Sequence, residues 1–171
     1  AVSILDRLDP EAFYQAAGDS LAPRTFVNRI NVPTYLGVAW QDEQTGGEAA
    51  NMLDEFTSLG GPGEPPLRAQ LMNGAHPEQY TPETYLRILE FLDFYVARRV
   101  PGLTGPLRQY ANLGFAEIIQ APGVDLPRDR AWPQDFEAAL AQYEAERPIR
   151  VSFEQGAAGT GNRPCPDDDR M

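Results

Sequence analysis

The sequence of 171 residues contains no lysine, one histidine and one cysteine, and each scarcity narrows what the chain can be. The single cysteine, Cys165, cannot form a disulfide within the chain, and no Cys/His cluster with zinc-binding spacing is present. Every basic residue is arginine, which we attribute to codon usage in a GC-rich source rather than to chemistry. We expect neither a metal nor any other cofactor.

Positive charge is also scarce, since 14 arginines stand against 25 acidic residues and give a net charge of -11. Such an acidic field argues against binding to nucleic acid or to an anionic membrane. No apolar run approaches the ~20 residues of a membrane span. The first residues, AVSILDRLDPEAF, lack the charged region and apolar region of a signal peptide. The composition is typical of a soluble protein and fits a cytoplasmic or a secreted one alike.

The sequence has no nucleophile elbow of the form G-x-S-x-G. Its serines are Ser3, Ser20, Ser58 and Ser152. Residues 18–21 spell GDSL, the motif of GDSL esterases, around Ser20. We discount this match because those enzymes carry the motif directly after a strand, whereas the preceding EAFYQAA has a helical pattern. They also carry a D-x-x-H pattern, and here Asn73 stands where that acid would precede His76.

Two short apolar segments, residues 34–39 and 67–72, predict strands that are buried in a sheet. Residues 47–59 between them carry apolar side chains at helical spacing and are followed by the turn sequence GGPGEPP. Strand, helix and strand with short links predict a parallel βαβ unit. Residues that follow the two strands should therefore meet at one edge of the sheet, where α/β proteins bind ligands.

A polar residue of catalytic type follows each of these strands. Asp42 follows the first, and His76 follows the second at a loop position between Ala75 and Pro77. An acid after one strand and a histidine after the next is how α/β-hydrolases place the last two members of a Ser-Asp-His triad. The alternative for Asp42 is a cap for the next helix, and Glu43 is its nearest rival. The alternative for His76 is a purely structural role.

The clearest helix signal begins at Pro82, with Thr81 as its cap, and ends before Pro101 and Gly102. We predict that this helix is largely buried through one broad apolar face. That face comprises Tyr85, Ile88, Leu89, Leu92, Tyr95, Val96 and Val100, with Phe91 and Phe94 beside it.

The rest of the chain carries weaker signals. Residues 4–17 predict an amphipathic helix, residues 133–147 predict another, and residues 149–153 alternate as a strand does. Residues 105–121 fit a helix and an irregular segment equally. The last residues, GAAGTGNRPCPDDDRM, have the composition of a loop or a disordered tail.

Four stretches, taken in order, resemble the CocE/NonD family of serine hydrolases. RINVPTYLGVAWQD is similar to the family strand that begins I-x-V-P and ends G-W-x-D at the triad acid; Ala39 replaces the glycine, while Trp40 and Asp42 match. LMNGAHPEQY is similar to the strand that leads to the triad histidine, although the family often has G-P-W-S-H there. FLDFYVARRVPGL resembles the helix after that histidine, and PIRVSFEQGAAG resembles the first strand of the C-terminal β-sandwich.

The resemblance implies an α/β fold, with residues 1–148 as the C-terminal half of an α/β-hydrolase domain. Residues 149–171 would begin a β-sandwich domain or form a disordered tail. The family comprises acyl esterases, α-amino-acid ester hydrolases and X-Pro dipeptidyl-peptidases, so the substrate would be a small ester or peptide. Asp42 would be the triad acid and His76 the general base, with the nucleophile outside this chain.

Two other functions stay open at this point. One is a binding or interaction module that keeps the βαβ scaffold without its chemistry. The other is a stand-alone GDSL-type esterase that uses Ser20. The sequence also leaves open whether the protein forms a homo-oligomer.

Overall fold

The structure, a computed structural model, describes residues 23–42, 44, 48–56, 64–75, 81–120 and 122–155. The predicted helix at residues 4–17, Ser20 and Cys165 lie outside these residues. The described part combines helices with a three-stranded parallel sheet, which confirms the α/β class. None of its helices is long and apolar enough to cross a membrane.

The sheet consists of β1 (Thr34–Ala39), β2 (Leu67–Asn73) and β3 (Ile149–Gln155), in the order β1-β2-β3. Both strand pairs are parallel. The two strands predicted from apolar runs are confirmed, with β2 one residue longer than expected. The central strand β2 is buried along most of its length, because its neighbours and the helices cover it.

The connection from β1 to β2 contains the predicted helical segment in a tighter form. Glu48–Glu55 is a 3₁₀ helix of eight residues rather than an α-helix. Its apolar side chains Met52 and Leu53 are half-buried, as their spacing predicts. Apolar spacing predicts a helical turn there, but it does not distinguish i→i+3 from i→i+4 hydrogen bonding.

Helix α1 (Pro82–Leu92) begins as predicted. The Thr81 hydroxyl accepts a hydrogen bond of 3.1 Å from the backbone N–H of Thr84, and Pro82 occupies the first turn, where its missing N–H costs nothing. The helical path then widens into a π-helix, Asp93–Ala97, and ends at Arg98, whose φ of 55° lies in the left-handed region.

The predicted buried face of this helix is only partly right. Leu92 is 42% exposed and Val96 is 70% exposed, whereas Phe91 and Phe94 are buried. The π-helical turn changes the angular position of the residues that follow Leu92, which brings Phe94 inward and leaves Val96 outward. On the preceding turns the inward positions include the charged residue Glu90, whose burial is compensated by ion pairs with Arg87 and Arg130.

Helix α2 (Pro106–Ile119) resolves the segment for which the sequence left two interpretations. Gly105 precedes it with a φ of 53°, a backbone conformation that favours glycine. Helix α3 (Phe136–Glu144) confirms the last predicted helix over a shorter range. Its start is capped by Asp135, whose carboxylate accepts a hydrogen bond of 2.9 Å from the N–H of Ala138.

The helices enclose two apolar clusters. The first joins α1 to α2 and the segment after it, with Phe115 fully buried at its centre. The second joins the π-helix to α3, where the rings of Phe94 and Tyr143 stack with their centres 4.7 Å apart and Trp132 meets Phe94 edge-on at 5.1 Å. Aromatic contacts of this kind contribute beyond the area that they bury.

The predicted strand at residues 149–153 is present as the start of β3, and its pairing with β2 joins it to the sheet of the first predicted domain. Residues 156–171, which would continue a second domain or a tail, lie outside the described residues. Because most of the second predicted domain is not described, the boundary between residues 148 and 149 stays a prediction.

Candidate functional site

The carboxyl ends of β1 and β2 lie side by side, as the βαβ pattern predicts. The pairing continues past the end of β1, because the N–H of Trp40 donates to the carbonyl of Met72 and the N–H of Gln41 donates to that of Gly74, both over 3.1 Å. We call this region, residues 40–42 together with 72–75, the carboxyl edge. It holds the residues just after β1 against those just after β2.

Asp42 is buried at this edge, with 7% of its surface exposed. Its N–H donates to the carbonyl of Ala39 over 3.1 Å, so the chain turns immediately after β1. One of its carboxylate oxygens, Oδ1, accepts a hydrogen bond of 2.7 Å from the N–H of Gln44, two residues further on. This local bond is an Asx turn, and the next described helix begins at Glu48, so the alternative role of Asp42 as a helix cap stays a prediction. It fixes the direction of a carboxylate that is largely withdrawn from water.

Asn73, at the end of β2, is a positioning residue, whereas in the sequence it stands out only as a departure from the D-x-x-H pattern. Its Oδ1 accepts hydrogen bonds from Trp40 Nε1 over 3.2 Å and from Gln41 Nε2 over 2.8 Å. The two side chains that precede Asp42 are thereby tied to the residue that ends β2. An amide one residue after an apolar strand was the available signal, but its partners on the other strand are not adjacent in the sequence.

His76 lies outside the described residues, and so does Glu43, the rival of Asp42. The described chain reaches Ala75, one residue before His76, and Gly74 is already hydrogen-bonded to the residue that precedes Asp42. The structure thus holds the residue before Asp42 against Gly74. The side-chain pairing of Asp42 with His76 stays a prediction.

The described part of the chain holds no group of three or more His, Cys, Asp or Glu side chains that could bind a metal ion. The chemistry available at the carboxyl edge is that of a fixed, buried carboxylate beside a strand end. Such a carboxylate can accept the N–H of an imidazole, hold it in one tautomer and stabilise its protonated form.

Comparisons of the chain with protein-family models, with curated proteins and with solved structures found no match. The resemblance to CocE/NonD hydrolases accordingly rests on the four sequence stretches given above. The membership that it implies stays a prediction.

Proposed function

We propose that the chain supplies the acid and the general base of a serine hydrolase of the α/β-hydrolase class, of CocE/NonD type. Asp42 orients His76, and the serine nucleophile comes from sequence outside this chain. The observation that carries the proposal is the hydrogen bond from the N–H of Gln41 to the carbonyl of Gly74. It ties the residue before Asp42 to a residue two positions before the only histidine.

In this proposal each residue of the pair has one task. The Asp42 carboxylate accepts the Nδ1 proton of the His76 imidazole, which leaves Nε2 free to take the proton of an attacking serine. Burial of Asp42 strengthens this interaction, because fewer water molecules compete for the carboxylate. Asn73 acts through other residues, since it holds Trp40 and Gln41 in place and thus fixes the loop that presents Asp42.

The surface of α2 supports the view that further protein belongs to this domain. Four large apolar side chains of α2 are between 41% and 72% exposed: Leu107, Tyr110, Leu113 and Ile118. A cluster of exposed apolar side chains on one helix is typical of a surface that packs against more protein. An amino-terminal half with the nucleophile would supply such a partner.

The substrate class follows from the resemblance alone. It is a small ester or a peptide with an accessible N-terminus, cleaved through an acyl-enzyme. Nucleic acid and membranes are not partners in this proposal.

The test compares the chain with a polypeptide that extends it at the amino end. The chain alone should leave p-nitrophenyl esters and X-Pro anilides at the background rate, because its sequence has no nucleophile elbow of the form G-x-S-x-G. An extended polypeptide with a G-x-S-x-G motif should hydrolyse one of them. In that polypeptide His76→Ala should lower kcat by about 10³-fold or more, and Asp42→Asn somewhat less.

The matched control is Asp54→Asn, which changes an exposed carboxylate on the 3₁₀ helix between β1 and β2 and should leave kcat unchanged. Full activity of the His76→Ala polypeptide would refute the assignment. If the chain alone turns over esters and Ser20→Ala abolishes this, the GDSL esterase is correct instead. Binding of a partner by a chain that is inert in every form would favour the interaction module.

A further inference from the structure

A small cavity lies at the opposite end of the sheet from the carboxyl edge. Tyr35 of β1 and Arg68 of β2 line it and are register partners, so their side chains leave the same face of the sheet. Arg87 of α1 and Tyr143 of α3 line it from the helical side. The cavity has a volume of about 20 Å³, enough for an occupant the size of one or two water molecules.

Three hydrogen-bond donors of the lining residues are buried and find no acceptor among the described residues: Tyr35 Oη, Arg68 Nε and Arg87 Nη1. Arg87 Nη1 lies 3.6 Å from Glu90 Oε2 and 3.9 Å from Glu146 Oε2, which is too far for a hydrogen bond. Since a buried donor without an acceptor is costly, three of them on one cavity indicate that an acceptor belongs there.

Arg68 also carries a buried positive charge, since only 8% of its surface is exposed. Its guanidinium donates to two neutral backbone carbonyls, that of Leu67 over 3.1 Å and that of Tyr143 over 2.8 Å, and lies 4.8 Å from the centre of the Tyr143 ring. In the described part of the chain no carboxylate is within ion-pair distance of Arg68. A buried charge without a counter-charge is strongly unfavourable.

Glu146 also lines the cavity, but its carboxylate and that of Glu90 are engaged by another arginine. Arg130 binds Glu90 in a bidentate manner, with Nε–Oε1 at 2.9 Å and Nη2–Oε2 at 2.8 Å, and it also binds Glu146. Burial, and after it the charges of Arg130 and Arg150, lower the pKa of Arg87 from its ordinary value, although the charges of Glu90 and Glu146 oppose this shift. Arg150 lines the cavity as well.

We propose that this cavity binds one small monovalent anion, either chloride or a single carboxylate group, through the Tyr35 hydroxyl and the guanidinium groups of Arg68 and Arg87. Hydrogen bonds from charged donors to an anion are the strong ones, and the anion would neutralise the buried charge of Arg68. The proposal is independent of the hydrolase chemistry, because Tyr35 lies about 13 Å along β1 from Ala39 and the carboxyl edge.

The test measures thermal unfolding of the full chain at constant ionic strength, while sodium chloride replaces sodium methanesulfonate. Chloride should raise the Tm along a saturating curve, by about 4 °C at ten times its Kd. Line broadening of the ³⁵Cl NMR signal, reversed by a competing anion, gives a readout that does not depend on stability. The two sources are separated by adding acetate, which should displace chloride if the site prefers a carboxylate.

Tyr35→Phe removes one donor and keeps the ring that packs against Phe91 with centres 5.6 Å apart. In chloride-free buffer this variant should be at least as stable as the parent, because an unsatisfied hydroxyl has been removed. When chloride is added, the Tm of this variant should rise less than that of the parent, and its Kd for chloride should be about tenfold higher. Tyr110→Phe, on a side chain that is 72% exposed, is the matched control and should behave as the parent does.

Two results would overturn the proposal. One is a Tm and a ³⁵Cl line width that respond to chloride and to acetate no more than to methanesulfonate, which would mean that water alone fills the cavity. The other is a saturable response that Tyr35→Phe leaves unchanged, which would place the anion elsewhere.

Discussion

The two ends of the sheet hold their polar groups by different means. At the carboxyl edge, Asn73 and Asp42 bind groups a few residues away or on the adjoining strand end, through hydrogen bonds of 2.7–3.2 Å. At the amino end, Glu90, Arg130 and Glu146 come from separate parts of the chain and meet through ion pairs. The first arrangement shapes a loop that presents a carboxylate, whereas the second ties the helices together over a sheet face.

If this comparison is right, the stability of the protein should depend most on the buried side chains next to the ion pairs of Arg130 with Glu90 and Glu146. Phe94→Ala removes a fully buried ring that stacks on Tyr143, and should cost about 4 kcal/mol of unfolding free energy. Val96→Ala, two residues further on and 70% exposed, should cost less than about 1 kcal/mol. Urea denaturation measures both, and equal effects would contradict the inward position of Phe94 and the outward position of Val96.

Removing an ion pair at the amino end should have the next largest effect on the free energy of unfolding. Glu90→Gln removes the buried carboxylate that binds the half-buried Arg130 in a bidentate manner, and should cost about 3 kcal/mol. The control is Glu117→Gln on α2, an exposed position, where stability should change by less than about 0.5 kcal/mol. A Glu90→Gln protein as stable as the control would contradict the role given to the network.

The buried tyrosines of this region make stability depend on alkaline pH. Burial raises the pKa of Tyr143 to about 12, so the folded state holds the phenolic proton more tightly than the unfolded state does. The stabilisation is complete below pH 10 and is lost as pH rises from 10 to 12, by about 2 kcal/mol. Burial also raises the pKa of Tyr35 and of Tyr95, so these two residues add to the loss of stability at alkaline pH.

Tyr143→Phe should make that decline shallower, measured as urea midpoints between pH 9 and 12. Exposed Tyr110→Phe should leave the decline as it is. Identical pH profiles for all three proteins would show that Tyr143 is not withdrawn from water.

The smallest effect should come from the carboxyl edge. Asn73→Ala removes the acceptor shared by Trp40 and Gln41, and should cost about 1 kcal/mol, because both bonds are partly exposed. Asn73→Asp keeps an oxygen acceptor there and is the matched control. Faster hydrogen exchange of the Trp40 indole N–H in the alanine variant alone would support the assignment, and equal exchange in both variants would count against it.

The same contrast explains which features the sequence predicts. The strands, the cap at Thr81 and the polar residues after each strand follow from patterns within a few residues, and local patterns are what sequence reasoning detects. The bidentate pair of Glu90 and Arg130 joins residues that are 40 positions apart, so no local sequence pattern predicts it. The expected burial of Val96 fails because apolar spacing assumes a regular helix, and the π-helix is not one.

For the candidate site, the pattern predicts the strand-end geometry and the position of Asp42, and it misses the function of Asn73. Asn73 bridges two strand ends, so its partners become neighbours only when the sheet forms. The unpartnered donors around Arg68 could not be predicted either, because each of them is an ordinary residue on its own element.

The most direct test of the central claim uses the fact that the chain has one histidine, so that every imidazole NMR signal belongs to His76. If Asp42 orients His76, the ¹⁵N shifts above the titration midpoint will report one tautomer, with the proton on Nδ1. Asp42→Asn should lower the midpoint of the imidazole titration by about one pH unit, because a facing carboxylate favours the charged form. Asp54→Asn should leave it unchanged. A mixture of tautomers in the parent, and a midpoint that Asp42→Asn does not move, would contradict the account.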